Sequence, residues 1–99
     1  MTVDELLEST QKESAPPAGL SPELQSLWLT KTDNWEAAHK IAQEIDSPMG
    51  SWIHAHLHVI EGDLANAAYW YNRAGRKAGG PKKLDEEWRE LVEVAIDMG

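Results

Sequence analysis

The chain has 99 residues, enough for one domain with a core of its own and too few for two. Apolar residues make up 41% and charged residues 26%, which excludes a disordered chain, and the lack of cysteine excludes a disulfide framework and thiolate chemistry. A net charge of −8 argues against nucleic acid as a partner, because duplex binding needs clustered cations and the one basic run is Arg73, Arg76, Lys77, Lys82 and Lys83.

Helix formers dominate and β-branched residues never cluster, so the chain reads as all-α, with five to six helices. Thr2 followed by Glu5 is a capping box, and Val3, Leu6 and Leu7 form a short stripe, which predicts a first helix over about 3–12. Ser14-Ala15-Pro16-Pro17-Ala18-Gly19 is a linker, so residues 1–19 read as an N-terminal arm ahead of a helical domain over 20–99. Ser21-Pro22 is the N-cap and first position of a second helix carrying Leu24, Leu27 and Trp28. Asp33 or Asn34 caps a third, Trp35 to Ile45, and Ser47-Pro48-Met49-Gly50 reads as a turn. A fourth helix is expected from Ser51 or Trp52 to Glu61, ended by Gly62, and a fifth from Leu64 to Ala74, capped by Asp63. Gly75 to Pro81 is a Gly- and Lys-rich loop. The last helix, Asp85 to Met98, turns Trp88, Leu91, Val92, Ala95 and Ile96 inward. The acidic N-terminus and the lack of any long apolar run predict no signal peptide, no membrane contact and a cytoplasmic location.

The chain partly repeats itself. Under a shift of 29 residues, Asp33-Asn34-Trp35-Glu36-Ala37-Ala38 falls on Gly62-Asp63-Leu64-Ala65-Asn66-Ala67. The second copy, with Gly62-Asp63-Leu64, Ala67, Tyr71 and Ala74, resembles the second half of a tetratricopeptide repeat, where Gly and Asp turn the chain and small residues let two helices approach. The resemblance covers the second to fifth helices. It implies two short helical hairpins, arranged as a right-handed superhelix or a small bundle, with the last helix as one cap and the arm or a second subunit as the other.

Three histidines lie on the fourth helix. His54, His58 and Glu61 fall within about 60° of one another on its wheel, whereas His56 sits amid the apolar arc and reads as a packing residue. His39 on the third helix stands level with His58 across the turn. A cluster of His39, His54, His58 and Glu61, with Asp63 near, would suit a divalent metal such as zinc or an acid–base histidine steered by a carboxylate. Its bland alternative is a hydrogen-bonded network that specifies the packing. On the fifth helix Asn66, Tyr69 and Arg73 share a face with Trp70 beside them. That face is either an anion or peptide contact or simply solvated, with Trp70 packed on the third or sixth helix.

The string Ala38-His39-Lys40-Ile41-Ala42-Gln43, Gly50-Ser51-Trp52-Ile53-His54-Ala55, then His58, Glu61-Gly62-Asp63, Asn66-Ala67, Tyr69-Trp70-Tyr71 and Arg73-Ala74-Gly75 resembles a family of uncharacterised bacterial proteins with fungal relatives. The resemblance covers residues 38–75 and brings no established activity. It implies that His39, His54, His58, Glu61, Asp63, Asn66, Trp70 and Arg73 belong to one motif and that His56 does not. An arginine common in that family after the second motif histidine is here Val59.

Two functions are therefore expected. The first is a helical-repeat module that binds a protein or peptide, or pairs as a homodimer, without a cofactor. The second is a small metal-dependent or acid–base enzyme built on His39, His54, His58 and Glu61. Against the second stand the absence of an H-E-x-x-H motif and of a phosphate-binding loop, since Gly79-Gly80-Pro81 follows no strand.

Overall fold

The computed structural model describes residues 1–77 and 83–98. Among the described residues six helices follow one another: α1 Val3–Lys12, α2 Pro22–Lys31, α3 Trp35–Gln43, α4 Pro48–Glu61, α5 Leu64–Ala74 and α6 Leu84–Met98. No strand occurs among the described residues. The radius of gyration is 12.3 Å, against about 13 Å for a compact chain of this length, so the helices close into a bundle. The pairs that the internal repeat links, α2 with α3 and α4 with α5, are the most extensively packed neighbours.

The capping box of α1 forms as the sequence predicts, with Thr2 accepting from the Glu5 amide and Glu5 accepting from the Thr2 amide. The helix does not stand apart as an arm. It packs on α2 and α6, Leu6 is fully buried, and Ser9 accepts a hydrogen bond from the Trp28 indole at 3.0 Å. On the other side of α2, the buried Ser26 hydroxyl donates to the Ala38 carbonyl at 2.8 Å, which fixes α3 against it. Asn34 takes the N-cap position of α3 without a side-chain cap bond and turns back to Thr32 instead, while Asp33 adopts φ +62°. A short carboxylate or amide residue tolerates that left-handed conformation better than most. The third helix ends at Gln43, two residues early, because Glu44 and Ile45 bond to carbonyls three residues back and tighten the turn.

The larger correction concerns α4. Ser47-Pro48-Met49-Gly50 is the first turn of the helix and not a separate turn before it. Ser47 is the N-cap, its hydroxyl accepting from the Gly50 amide at 3.2 Å, and Pro48 sits at the first position, where its missing N–H costs nothing. Gly50 permits this start. A Cβ there would lie 2.1 Å from the Ile45 carbonyl oxygen, so α3 and α4 can join so tightly only without one. Every residue from Met49 to Val59 is buried, which makes α4 the central helix of the fold. Gly62 ends it at φ +86°, and Asp63 caps α5 through the Asn66 amide. In the expected loop, Gly75, Arg76 and Lys77 are non-helical, and its remaining residues, 78–81, lie outside the described residues. The last helix buries Trp88, Leu91, Val92 and Ala95, with Ile96 half-buried, and its Trp88 indole donates to the Leu27 carbonyl at 2.8 Å.

Candidate functional site

One turn of helix separates His54 from His58, so both rings leave the same face of α4. The α3–α4 hairpin brings His39 opposite them. The His39 ring lies 4.4 Å from that of His54 and 5.3 Å from that of His58, and the last two stack at 4.8 Å. One ligand atom from each of the three lies within 4.8 Å of the others. Two indoles wall the cluster. Trp35 stacks on His39 at 4.8 Å, pinned by its own bond to the Leu57 carbonyl at 2.7 Å, and Trp70 stacks on His54 at 3.9 Å. Trp70 thus packs on α4, where the sequence suggested the third or sixth helix.

The three imidazoles differ in their partners. His58 donates Nδ1–H to the Glu61 carboxylate at 2.5 Å, which leaves its Nε2 as the acceptor. Neither ring nitrogen of His39 or His54 has a hydrogen-bond partner among the described residues. No fully buried side-chain nitrogen or oxygen there lacks one, so those ring nitrogens retain contact with solvent. His54 itself is only 5% exposed. Burial first, then the neighbouring His39 and His58, pushes its pKa down from 6.5 to about 4. Burial and His58 also lower His39, against a weaker opposing pull from Glu61. Both rings are therefore neutral at pH 7, the form in which imidazole binds a metal.

The remaining candidates fall on either side of this cluster. His58, Glu61 and Asp63 form a second group with ligand atoms within 4.8 Å of one another, more exposed than the first and sharing His58 with it. Asn66 belongs to the cap of α5, bonded to Asp63 through its amide and side chain. Arg73 lies 5.4 Å from the Trp70 ring centroid and donates to the Tyr69 hydroxyl at 3.2 Å. Trp70, Arg73 and His54 also line a cavity of about 160 Å³ between the end of α3, the start of α4 and α5. Its other polar walls, Gln43, Asp46, Ser47 and Ser51, escaped the sequence reading. Placing Ser47 and Ser51 on one helical turn would have pointed to them.

His56 leaves the opposite face of α4, as expected, but it is more than packing. Its Nδ1 meets Glu87 Oε1 at 2.6 Å, while Glu87 Oε2 accepts from the Tyr71 hydroxyl at 2.6 Å and from the Trp52 indole at 3.2 Å. Burial alone would raise the Glu87 pKa, yet the bonds from His56 and Tyr71 outweigh it and hold the carboxyl below its usual range. Burial, and then the bond to Glu87, drives the Tyr71 phenol far up. This network joins three side chains through one carboxylate and ties α4 and α5 to α6.

The two polar groups on α4 thus have different characters. The inner one is built around a single carboxylate, Glu87, that bonds to three side chains. The outer one sets three imidazoles around a common point, with unpartnered nitrogens and a carboxylate orienting one ring, and could hold a metal ion. Compared with protein-family models, with curated proteins and with solved structures, the chain matches none.

Proposed function

We propose that the protein binds one divalent first-row transition ion, zinc being the expected occupant, through His39, His54 and His58. The sequence puts a protein- or peptide-binding module first, and the convergence of three imidazoles moves metal-dependent chemistry ahead of it. The observation that carries the reading is the placement of three ligand atoms within 4.8 Å of one another, from two helices. Zinc–imidazole bonds of about 2.0–2.1 Å put tetrahedral nitrogens roughly 3.4 Å apart, so nitrogens now within 4.8 Å of one another need to close by at most about 1.4 Å.

Other features support it. Imidazole suits zinc, copper, iron and nickel, and the two lowered histidines need shed no proton near neutrality. The Glu61 bond fixes His58 in the tautomer that presents Nε2, the usual role of a carboxylate behind a metal-bound histidine. Three protein ligands leave a fourth position for water, the arrangement of catalytic rather than structural zinc. In that position the ion would lower the pKa of a bound water to about 7 and make it a nucleophile.

Metal analysis and zinc titration of protein purified without an affinity tag test the proposal. The expected result is one zinc per chain, lost in a His54→Ala, His58→Ala double variant and weakened roughly 10–100-fold in Glu61→Gln. A metal-free protein whose weak zinc uptake is the same in all three proteins would rule it out.

A further inference from the structure

We propose that the cavity bounded by His54, Trp70 and Arg73 is a subsite for a small monocarboxylate, which would bring the rest of that molecule to the metal-facing side of His54. The link to chemistry rests on the metal reading, whereas the carboxylate subsite can be tested without it.

The size comes first. The cavity measures about 160 Å³, and one of about 150 Å³ accepts a molecule the size of benzene. The part of a ligand held there therefore has only a handful of non-hydrogen atoms. The walls then set the chemistry. Arg73 carries five N–H donors, gives one contact to Tyr69 and makes no ion pair with a carboxylate among the described residues. Its planar fork matches a carboxylate in two parallel bonds. Trp70 offers an apolar plate, with the Arg73 guanidinium 5.4 Å from its centroid, while Gln43 and Ser51 add an amide and a hydroxyl. Asp46 also lines the cavity, and its negative charge opposes a doubly charged anion more than a singly charged one. These walls favour a monocarboxylate over a phosphate. His54 closes the cavity while its ring also belongs to the three-histidine cluster, so the subsite and the proposed ion share one wall.

The test is a titration of the metal-free protein with acetate and, separately, with inorganic phosphate, followed by amide and arginine side-chain NMR shifts. Acetate is expected to shift Gln43, Ser51, His54 and Arg73 saturably, to bind more tightly than phosphate, and to weaken roughly tenfold or more in Arg73→Gln, in line with the loss of a charged hydrogen bond. Arg73→Lys, which keeps the charge and loses the fork, is expected between the two. No saturable acetate shift, equal acetate binding by wild type and Arg73→Gln, or tighter binding of phosphate would each overturn the subsite. Zinc uptake by the same proteins separates the two readings. Arg73→Gln that keeps its zinc and loses acetate supports the subsite. Acetate binding by a wild type that takes up no zinc also supports the subsite and removes the metal reading alone.

Discussion

At the scale of single residues, His54 shows how enclosure sets charge. The Trp70 indole covers one face of its ring, and the other two imidazoles of the cluster lie close by. An added proton would lose its hydration and meet two groups that can also become positive. The consequence for stability has a definite sign. Its pKa falls from 6.5 to about 4 on folding, so between those values the unfolded chain binds the extra proton. Stability of the metal-free protein is then complete above 6.5, decreases as the pH falls through that window and levels off below about 4 as far as His54 is concerned. His39 acts in the same direction. Urea midpoints measured at pH 7, 6 and 5 are expected to fall progressively, with a flatter profile in His54→Gln, and identical slopes in the two proteins would contradict this origin. The i, i+4 spacing of His54 and His58 and the level position of His39 were legible in sequence. The stacked indole and the cavity were not, because which face of Trp70 is covered depends on how α5 lies on α4.

Among the elements, α4 matters most, since its first turn sets the register of both polar groups. The sequence holds the same signal twice, Ser21-Pro22 and Ser47-Pro48, each a hydroxyl N-cap before a proline at the first helical position. At the second, Gly50 two residues after Pro48 favours reading a turn. The structure gives that glycine another purpose, a close approach to the Ile45 backbone. Gly50→Ala would force a carbon to within 2.1 Å of a carbonyl oxygen, so the α3–α4 junction must open. The expected cost is about 3 kcal/mol, in the upper range for overpacking. For a domain of this size that lowers the melting temperature by roughly 12–24 °C. A melting temperature within two or three degrees of wild type would show that the junction yields without strain. The turn after α4 was legible throughout, because Gly62 and Asp63 combine a left-handed stop with an N-cap.

For the whole molecule, the small size of the chain explains why its first helix is not an arm. A domain this short buries a modest share of its surface, and Leu6, at 0% exposure, lies where α1 covers α2 and α6. The proline-rich linker hid this, because a composition change marks a boundary in sequence without saying whether the chain folds back across it. Leu6→Ala is expected to destabilise by about 2–5 kcal/mol in denaturant unfolding, as a buried leucine does. A loss below 0.5 kcal/mol, the level of an exposed site, would show that α1 is dispensable. The same limit of sequence hid Glu87. It stands among three acidic residues opening α6 and looks like a solvated first turn, yet it receives His56, Tyr71 and Trp52 from two other helices. The all-α class, the six helices and the pairing of α2 with α3 and α4 with α5 were readable from periodicity and caps, whereas long-range partners of single polar residues were not. The central claim, that three histidines from α3 and α4 form one metal site, is most directly tested by zinc-edge X-ray absorption on the loaded protein. The expected shell is three imidazole nitrogens and one oxygen at about 2.0 Å. A shell of oxygens alone, or of one imidazole among oxygens, would place the ion on surface carboxylates and contradict the claim.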